Sequence, residues 1–297
     1  MNAVTLHARP SADYATKLAH TVAVLTSAAA EHGSRLVQAT SLGAEDQVLT
    51  QLIAQHRLPI AIATLDTGKL HRETIELIGR TETALGVTIE RFAPTQQAVV
   101  NFVGRHGERA MFDSVALRKA CCALRKLEPL GRLLDGHAAW ITGLRREQSG
   151  HRADVPFSER EESGRLKLNP LADWTWGDVW HHIAINDVPY NPLHDRFFPS
   201  IGCEPCTRAI ALGEDFRAGR WWWENEGAKE CGLHLRPHST GAAAPVDARS
   251  AAQSDFVSAQ ADFGAAEVKD ATASGRSQHE GAKECGLHVK QSEGVEA

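Results

Sequence analysis

The sequence predicts an α/β protein: an open, mainly parallel sheet with helices on both faces, followed by a flexible C-terminal tail. Two observations carry the sheet. Short apolar runs of strand length alternate with segments of helical periodicity, and the runs end at turn residues. Such alternation marks βαβ units, which pair strands in parallel and cover both sheet faces. A third observation carries the tail. After about residue 235 the composition shifts to Ala, Ser, Gly and Asp, with little to build a core.

The elements follow in chain order. RLVQATSLG (35–43) reads as a buried strand ending in a Gly turn, and AEDQVLTQLIAQHR (44–57) as the helix after it. PIAIATLDTG (59–68) is a second strand and KLHRETIELIGRTETALG (69–86) a second helix. VTIERFAP (87–94) is a third strand that stops at a Pro. AAWITGL (138–144) and RLKLNPL (165–171) supply a fourth and a fifth. WTWGDVWHHIAIND (174–187) has apolar residues at helical spacing. Folds of this class bind ligands beyond the carboxyl ends of their strands. The domain plan is a catalytic domain over 1–235, a linker over 236–278 rich in Ala and Ser, and a tail over 279–297.

Composition narrows the function classes. Hydrophobic residues make up 42% and charged residues 23%, ordinary for a soluble globular protein. A net charge of -5 argues against a general nucleic-acid binder. There is neither a signal-peptide pattern nor an apolar stretch long enough to span a membrane, so the expected location is cytoplasmic. Thiols stay reduced there, and clustered cysteines point to metal or catalysis rather than disulfides.

Four of the six cysteines are clustered. Cys121 and Cys122 are adjacent in RKACCALRKLEPL, and Cys203 and Cys206 form a CxxC in IGCEPCTRAI. Four thiolates suit either an iron–sulfur cluster or structural zinc. An adjacent pair is unusual for zinc and implies local backbone strain, which favours a 4Fe–4S cluster. Zinc, or four buried free thiols, are the alternatives. Lys126 lies one helical turn after Cys122, placed to carry charge between a cluster and an anionic ligand.

Other segments suit an anionic nucleotide. SLGAEDQ (41–47) sits at a strand-to-helix turn, where backbone N–H groups and the Ser41 hydroxyl can hold an anion. LDTG, Leu65 to Gly68 with Asp66 and Thr67, ends the next strand beside a base or ribose, or is a simple turn. TGLRREQSGHR offers Arg145, Arg146 and Arg152 in a polar loop, and EDFRAGRWWWE sets Arg217 and Arg220 three apart. Guanidinium groups suit phosphate or sulfate, while a solvated surface is the plain alternative for each.

Together SLGAEDQ, LDTG, CCALRKLEPL, TGLRREQS, GCEPCTRAI, GRWWWE and KECGLH resemble the assimilatory adenylyl-sulfate reductases of iron–sulfur type, within the phosphoadenylyl-sulfate reductase family. The resemblance covers about residues 20–235. It implies an adenine nucleotide α-hydrolase-like fold and a 4Fe–4S cluster on Cys121, Cys122, Cys203 and Cys206. It implies thioredoxin-dependent reduction of adenosine 5′-phosphosulfate to sulfite and AMP in sulfate assimilation and cysteine biosynthesis. A glutaredoxin-like reductant is the alternative partner, and a homo-oligomer is expected. Carried over by motif, Ser41, Gly43 and the LDTG stretch surround the adenosine, and Gly143 lies along the nucleotide. Lys126, Arg152, Arg217 and Arg220 hold the phosphosulfate, with Arg145 or Arg146 standing in for Arg152 if the loop differs. The KECGLH cysteine is the nucleophile and His234 its neighbour. The cluster cysteines also imply preference for the nucleotide without a 3′-phosphate.

EGAKECGLH occurs twice, at 226–234 and 280–288, which gives two candidate nucleophiles, Cys231 and Cys285. Only the first follows GRWWWE, so Cys231 is the expected nucleophile and Cys285 a redundant copy. A flexible tether of that separation reaches about 40 Å, enough for Cys285 to visit the same site. Rival readings are a reductase of the 3′-phosphorylated nucleotide (PAPS), an ATP pyrophosphatase on the same fold, and a cluster-based redox sensor. The pyrophosphatase expects SGGKDS where this chain has SLGAED, and the sensor leaves the arginines without a role.

Overall fold

The structure is a computed structural model and describes residues 2–224. The proposed linker, the tail and both ECGLH motifs, with Cys231, His234 and Cys285, lie outside the described residues.

Six strands form one sheet in the order β3-β2-β1-β4-β6-β5. They are β1 (Leu36–Thr40), β2 (Ala61–Leu65), β3 (Glu90–Phe92), β4 (Ala139–Ile141), β5 (Ser158–Arg160) and β6 (Leu166–Leu168). All neighbours run parallel except β5, which pairs antiparallel with β6 at the edge, Glu159 opposite Lys167. The five expected strands are present, each shorter than its apolar run. β5 was not expected, because the polar SER stretch carries no alternation.

Strand side chains alternate between two cores. Leu36, Ile62, Ala139 and Ile141 face one of them, and Val37, Ala63 and Trp140 the other. The first core is covered by α2 (Tyr14–His32), α3 (Ala44–Gln55), α4 (Arg72–Leu85) and α8 (Trp176–Ile185). The opposite face is covered by α7 (Glu128–Leu134) through Leu130, Leu133 and Leu134. Each such side chain, fully buried, contributes about 1.5–3 kcal/mol. α3 is buried over ten of its twelve residues, since it lies between the sheet and α8. α4 buries only Thr74, Leu77, Ile78 and Thr81, a single stripe at helical spacing.

Polar anchors fix the ends. Thr175 and Asp178 form a reciprocal capping box at the start of α8, and Asp178 also accepts from the Ser11 backbone N–H at 2.7 Å. Burial would raise the Asp178 pKa, but its hydrogen bonds to Thr175 and Ser11 pull it down to about 2. A short helix, α1 (Ala3–His7), packs on α8. The remaining helices are α5 (Gln96–His106) and α6 (Val115–Cys122). Between α6 and α7 the chain makes a π-helical turn, Ala123–Leu127.

Candidate active site

The chain runs β1, β2, β3 outward in one direction, then returns to place β4 on the other side of β1. Where the direction reverses, the loops after β1 and β4 part and leave a crevice at the carboxyl ends of the strands. Two segments build its floor. After β1, Leu42 is buried in the left-handed region at φ 60°, a strained setting for a branched residue that turns the chain sharply into α3. Ser41 then donates twice to Asp46 Oδ2, from its backbone N and from Oγ, both at 2.6 Å. After β4, Gly143 passes so close to α3 that a Cβ there would lie 2.5 Å from Asp46 Oδ1 and 2.9 Å from Glu45 Cβ. Only glycine fits this approach.

The two acids of SLGAED are drawn into the protein's own framework. Glu45 Oε1 accepts from Gln148 Nε2 and lies beside Arg145 Nε and Nη2, all at 2.9 Å. Burial works to raise the Glu45 pKa, but the Arg145 charge and these hydrogen bonds hold it below the usual carboxylate value. Burial dominates at Asp46 and, with the Glu45 charge, pushes it up to about 6 against the bonds from Ser41.

A cavity of about 220 Å³ opens above this floor. Ser41, Gly43 and Gly143 line it at the switch point, with Leu65 and Thr67 from the end of β2. Lys126, Arg152, Arg217 and Arg220 line it as well. Nine of the twelve residues expected to touch substrate meet here. Three do not. Asp66 turns back on its own loop, its Oδ1 accepting from Gly68 N at 3.0 Å, and Gly68 packs against Arg125 Nη1. Arg145 is 1% exposed and is absent from the cavity wall. Its guanidinium is taken up by Glu45, by Glu147 at 2.8 Å and by the Trp174 carbonyl at 3.2 Å. It shapes the floor from beneath.

Cys121, Cys122, Cys203 and Cys206 are all buried and line a second, small void, together with Lys69, Arg118, Arg125 and Lys126. Lys126 therefore belongs to both walls, the cavity and the void. Both adjacent cysteines reach this void from the last turn of α6. Cys122 keeps ordinary right-handed helical angles, φ -66° and ψ -40°, so the strain expected at the pair is not found there. The widened turn that follows resets the helix and brings Lys126 round to the same side. The CxxC arrives from another segment: Leu70 bridges Cys203, and Glu204 N donates to the Lys69 carbonyl at 2.8 Å. Thr67 Oγ1 lies 3.3 Å from Cys203 Sγ. Burial pushes the Cys206 thiol up to about 12, with Cys203 and Cys122 adding to the shift and Arg220 and Lys126 opposing it. Burial likewise raises Cys121, against the nearby Arg125. Among the described residues no group of His, Cys, Asp and Glu forms a site for a single metal ion.

Trp221 joins the two regions. Its backbone N donates to the Cys206 carbonyl at 3.2 Å, and Arg118 and Arg220 stack on its ring at 4.7 and 4.6 Å. Arg220 has room because residue 202 is glycine; a Cβ there would collide with the guanidinium. Its Nε is buried with no hydrogen-bond partner among the described residues. Sequence reasoning missed Thr142, Gln148 and His194, which also line the cavity. His194 is buried and held neutral, its pKa lowered to about 4 by burial, and nothing in NPLHD marks it as a site residue. Gly202 did leave a signal, a glycine directly before a CxxC.

The comparisons with known proteins agree with this geometry. The sequence profile of the phosphoadenosine phosphosulfate reductase domain matches residues 35–209, which span the whole sheet and all four clustered cysteines. An Allochromatium vinosum protein named adenosine 5′-phosphosulfate reductase is 58% identical over 202 residues, 68% of this chain and 79% of that one. One of the same name from Agrobacterium fabrum is 53% identical over 204 residues, 68% of this chain and 78% of that one. Among solved structures, phosphoadenylyl-sulfate (PAPS) reductase from Candida auris in a phosphate complex superposes with a TM-score of 0.54 at 25% identity, over 67% of this chain and 94% of that one. No helix among the described residues is long and apolar enough to cross a membrane. Fold, cysteine pattern and sequence identity converge: this chain belongs to the phosphoadenosine phosphosulfate reductase family.

Proposed function

We propose that this protein reduces adenosine 5′-phosphosulfate to sulfite and AMP, the activity for which its relatives are named, using a dithiol protein of the thioredoxin or glutaredoxin type. One observation carries the reading. A single cavity has the switch-point turn at one end, four cationic side chains on its wall, and Lys126 shared with the cysteine-lined void. The adenosine lies against Ser41, Gly43, Leu65, Thr67 and Gly143, and Lys126, Arg152, Arg217 and Arg220 hold the phosphosulfate.

The reaction is thiol chemistry. The Cys231 thiolate attacks the sulfonyl sulfur, an S–S bond forms, the S–O bond to phosphate breaks, and AMP departs with that electron pair. The guanidinium groups stabilise the charge on the leaving phosphate. A thiolate of the reductant then attacks the Cys231 sulfur and sulfite leaves. Its second thiol resolves the mixed disulfide, so the dithiol supplies both electrons and Cys231 is returned reduced. His234 stands beside the nucleophile in sequence, and Cys285 is a redundant copy of it.

Four buried sulfurs around one void, with basic side chains beside them, fit a 4Fe–4S cluster held by Cys121, Cys122, Cys203 and Cys206. When bound, the cluster supplies fixed charge beside Lys126 and orders the basic wall. The floor supports preference for the nucleotide without a 3′-phosphate. The donors of Ser41 already serve Asp46, and a further phosphate there would meet carboxylates. The cytoplasm and a homo-oligomeric state complete the reading.

The test is to incubate protein with adenosine 5′-phosphosulfate, without reductant, and weigh its tryptic peptides. ECGLHLRPHSTGAAAPVDAR and ECGLHVK report Cys231 and Cys285 separately. A gain of SO₃ on the first, with sulfite released on adding thioredoxin, is expected. No gain on either peptide rules the reaction out, and comparable kcat/KM for the 3′-phosphorylated nucleotide overturns the preference.

A further inference from the structure

Glu224, the last described residue, is not a surface acid. Arg118 Nε donates to its Oε1 at 2.9 Å and Nη2 to its Oε2 at 2.7 Å, a two-pronged charged pair. The two side chains are 0% and 2% exposed. Arg118 stands one helical turn before Cys122 on α6 and lines the cysteine void. Its guanidinium stacks on Trp221, whose other neighbours Arg220 and Arg217 line the cavity. Glu224 N in turn donates to the Trp221 carbonyl at 2.8 Å. One packed series therefore runs from the cavity through Arg220, Trp221 and Arg118 to Glu224.

A buried ion pair adds little net stability, because the cost of desolvating both charges roughly cancels their attraction. What a two-pronged pair does supply is a fixed position. Cys231 follows seven residues after Glu224, and a chain of that length spans at most about 25 Å. We propose that the Arg118–Glu224 pair is a positioning clamp, which fixes Glu224, seven residues before Cys231, and so sets the approach of the Cys231 thiol to the cavity. Neither residue touches substrate in this reading, which rests on the proposed reaction.

The experiment compares the full-length parent with Glu224→Ala, Glu224→Gln and Arg118→Lys. The rate at which the Cys231 peptide gains SO₃ in a single turnover is expected to fall about 10–100-fold in Glu224→Ala, and less in Glu224→Gln, which keeps an acceptor. AMP affinity is expected to stay within about twofold, with iron per chain unchanged. A second readout is independent of turnover: AMP should slow iodoacetamide alkylation of Cys231 in the parent, and this protection should be lost in Glu224→Ala. Parental rates and protection in all variants overturn the clamp. So does a fall in rate that tracks lost AMP affinity or lost iron, because the pair is then general scaffold. If Glu224→Ala does not fold, Glu224→Gln decides. If the parent itself gains no SO₃, the proposed reaction fails, and the alkylation readout still decides on the clamp.

Discussion

The two sides of the cavity are built on opposite principles. At the switch point, polar groups are matched within the protein: Asp46 takes both donors of Ser41, and Glu45 is held by Arg145 and Gln148. Toward the cysteines the wall carries Lys126, Arg217 and Arg220, and the buried Nε of Arg220 has no partner among the described residues, while Arg152 stands by the switch-point network with its Nη1 donating to Gln148 Oε1 at 2.6 Å. The matched side offers shape and polar groups already satisfied, which fits the proposed seat of the nucleoside. The cationic side offers charge held ready for an anion, with its desolvation cost already met by folding. The contrast supports the proposed substrate orientation, since a phosphosulfate at the matched side would meet carboxylates.

Substitutions on the two sides should differ in kind as well as size. Arg220→Ala should have the largest effect, a loss of about 10²–10³-fold in kcat/KM with little change in melting temperature. Arg220→Lys should not restore it, because a point charge cannot repeat the stacked, planar contact with Trp221. An equally large loss from a substitution at Ser41 would break the contrast.

Asp46 sharpens it through pH. Its pKa is raised from 3.8 to about 6 in the folded state, so between those values the native protein binds more protons than the unfolded chain. Stability contributed at this residue therefore falls as pH rises through that window. Asp46→Asn should remove this slope, read from denaturant midpoints across about pH 4–7. Asp178 has the opposite sign: its contribution is present above the ordinary carboxylate value and lost as pH falls toward about 2.

Gly143→Ala should cost about 1–3 kcal/mol of stability, as a Cβ drives into Asp46, and should lower the melting temperature. Ser41→Ala should be mildest, about 1 kcal/mol or roughly fivefold in KM with kcat kept, because the Ser41 backbone N still serves Asp46.

The sequence marks most of this design, but unevenly. β1, β2 and β4 were legible because buried strands are continuous apolar runs, whereas β3, Glu90–Phe92, is largely exposed and was marked by the apolar residues before it and the Pro after it. β5 was not, because Ser158–Arg160 is short, polar and held only by its partner. The helix over Tyr14–His32 is not among the expected elements, although Thr21, Leu25 and Ala28 sit at helical spacing. At the site, residue types exposed the cationic wall and the four cysteines. They did not expose that Arg145 is consumed by Glu45, since that pair is made across a hundred residues and depends on how α3 meets the loop after β4. Arg118 and Glu224 were hidden for the same reason, their contact being 106 residues apart in sequence.

The widened turn at Ala123–Leu127 has a consequence for how this enzyme family can vary. A regular helix rotates about 100° for every residue. Deleting one residue between Cys122 and Lys126 would leave each side chain chemically intact yet swing the lysine away from the cavity. The spacing between the two compartments is a matter of counting, to which point-substitution scans are blind and to which a one-codon deletion is acutely sensitive.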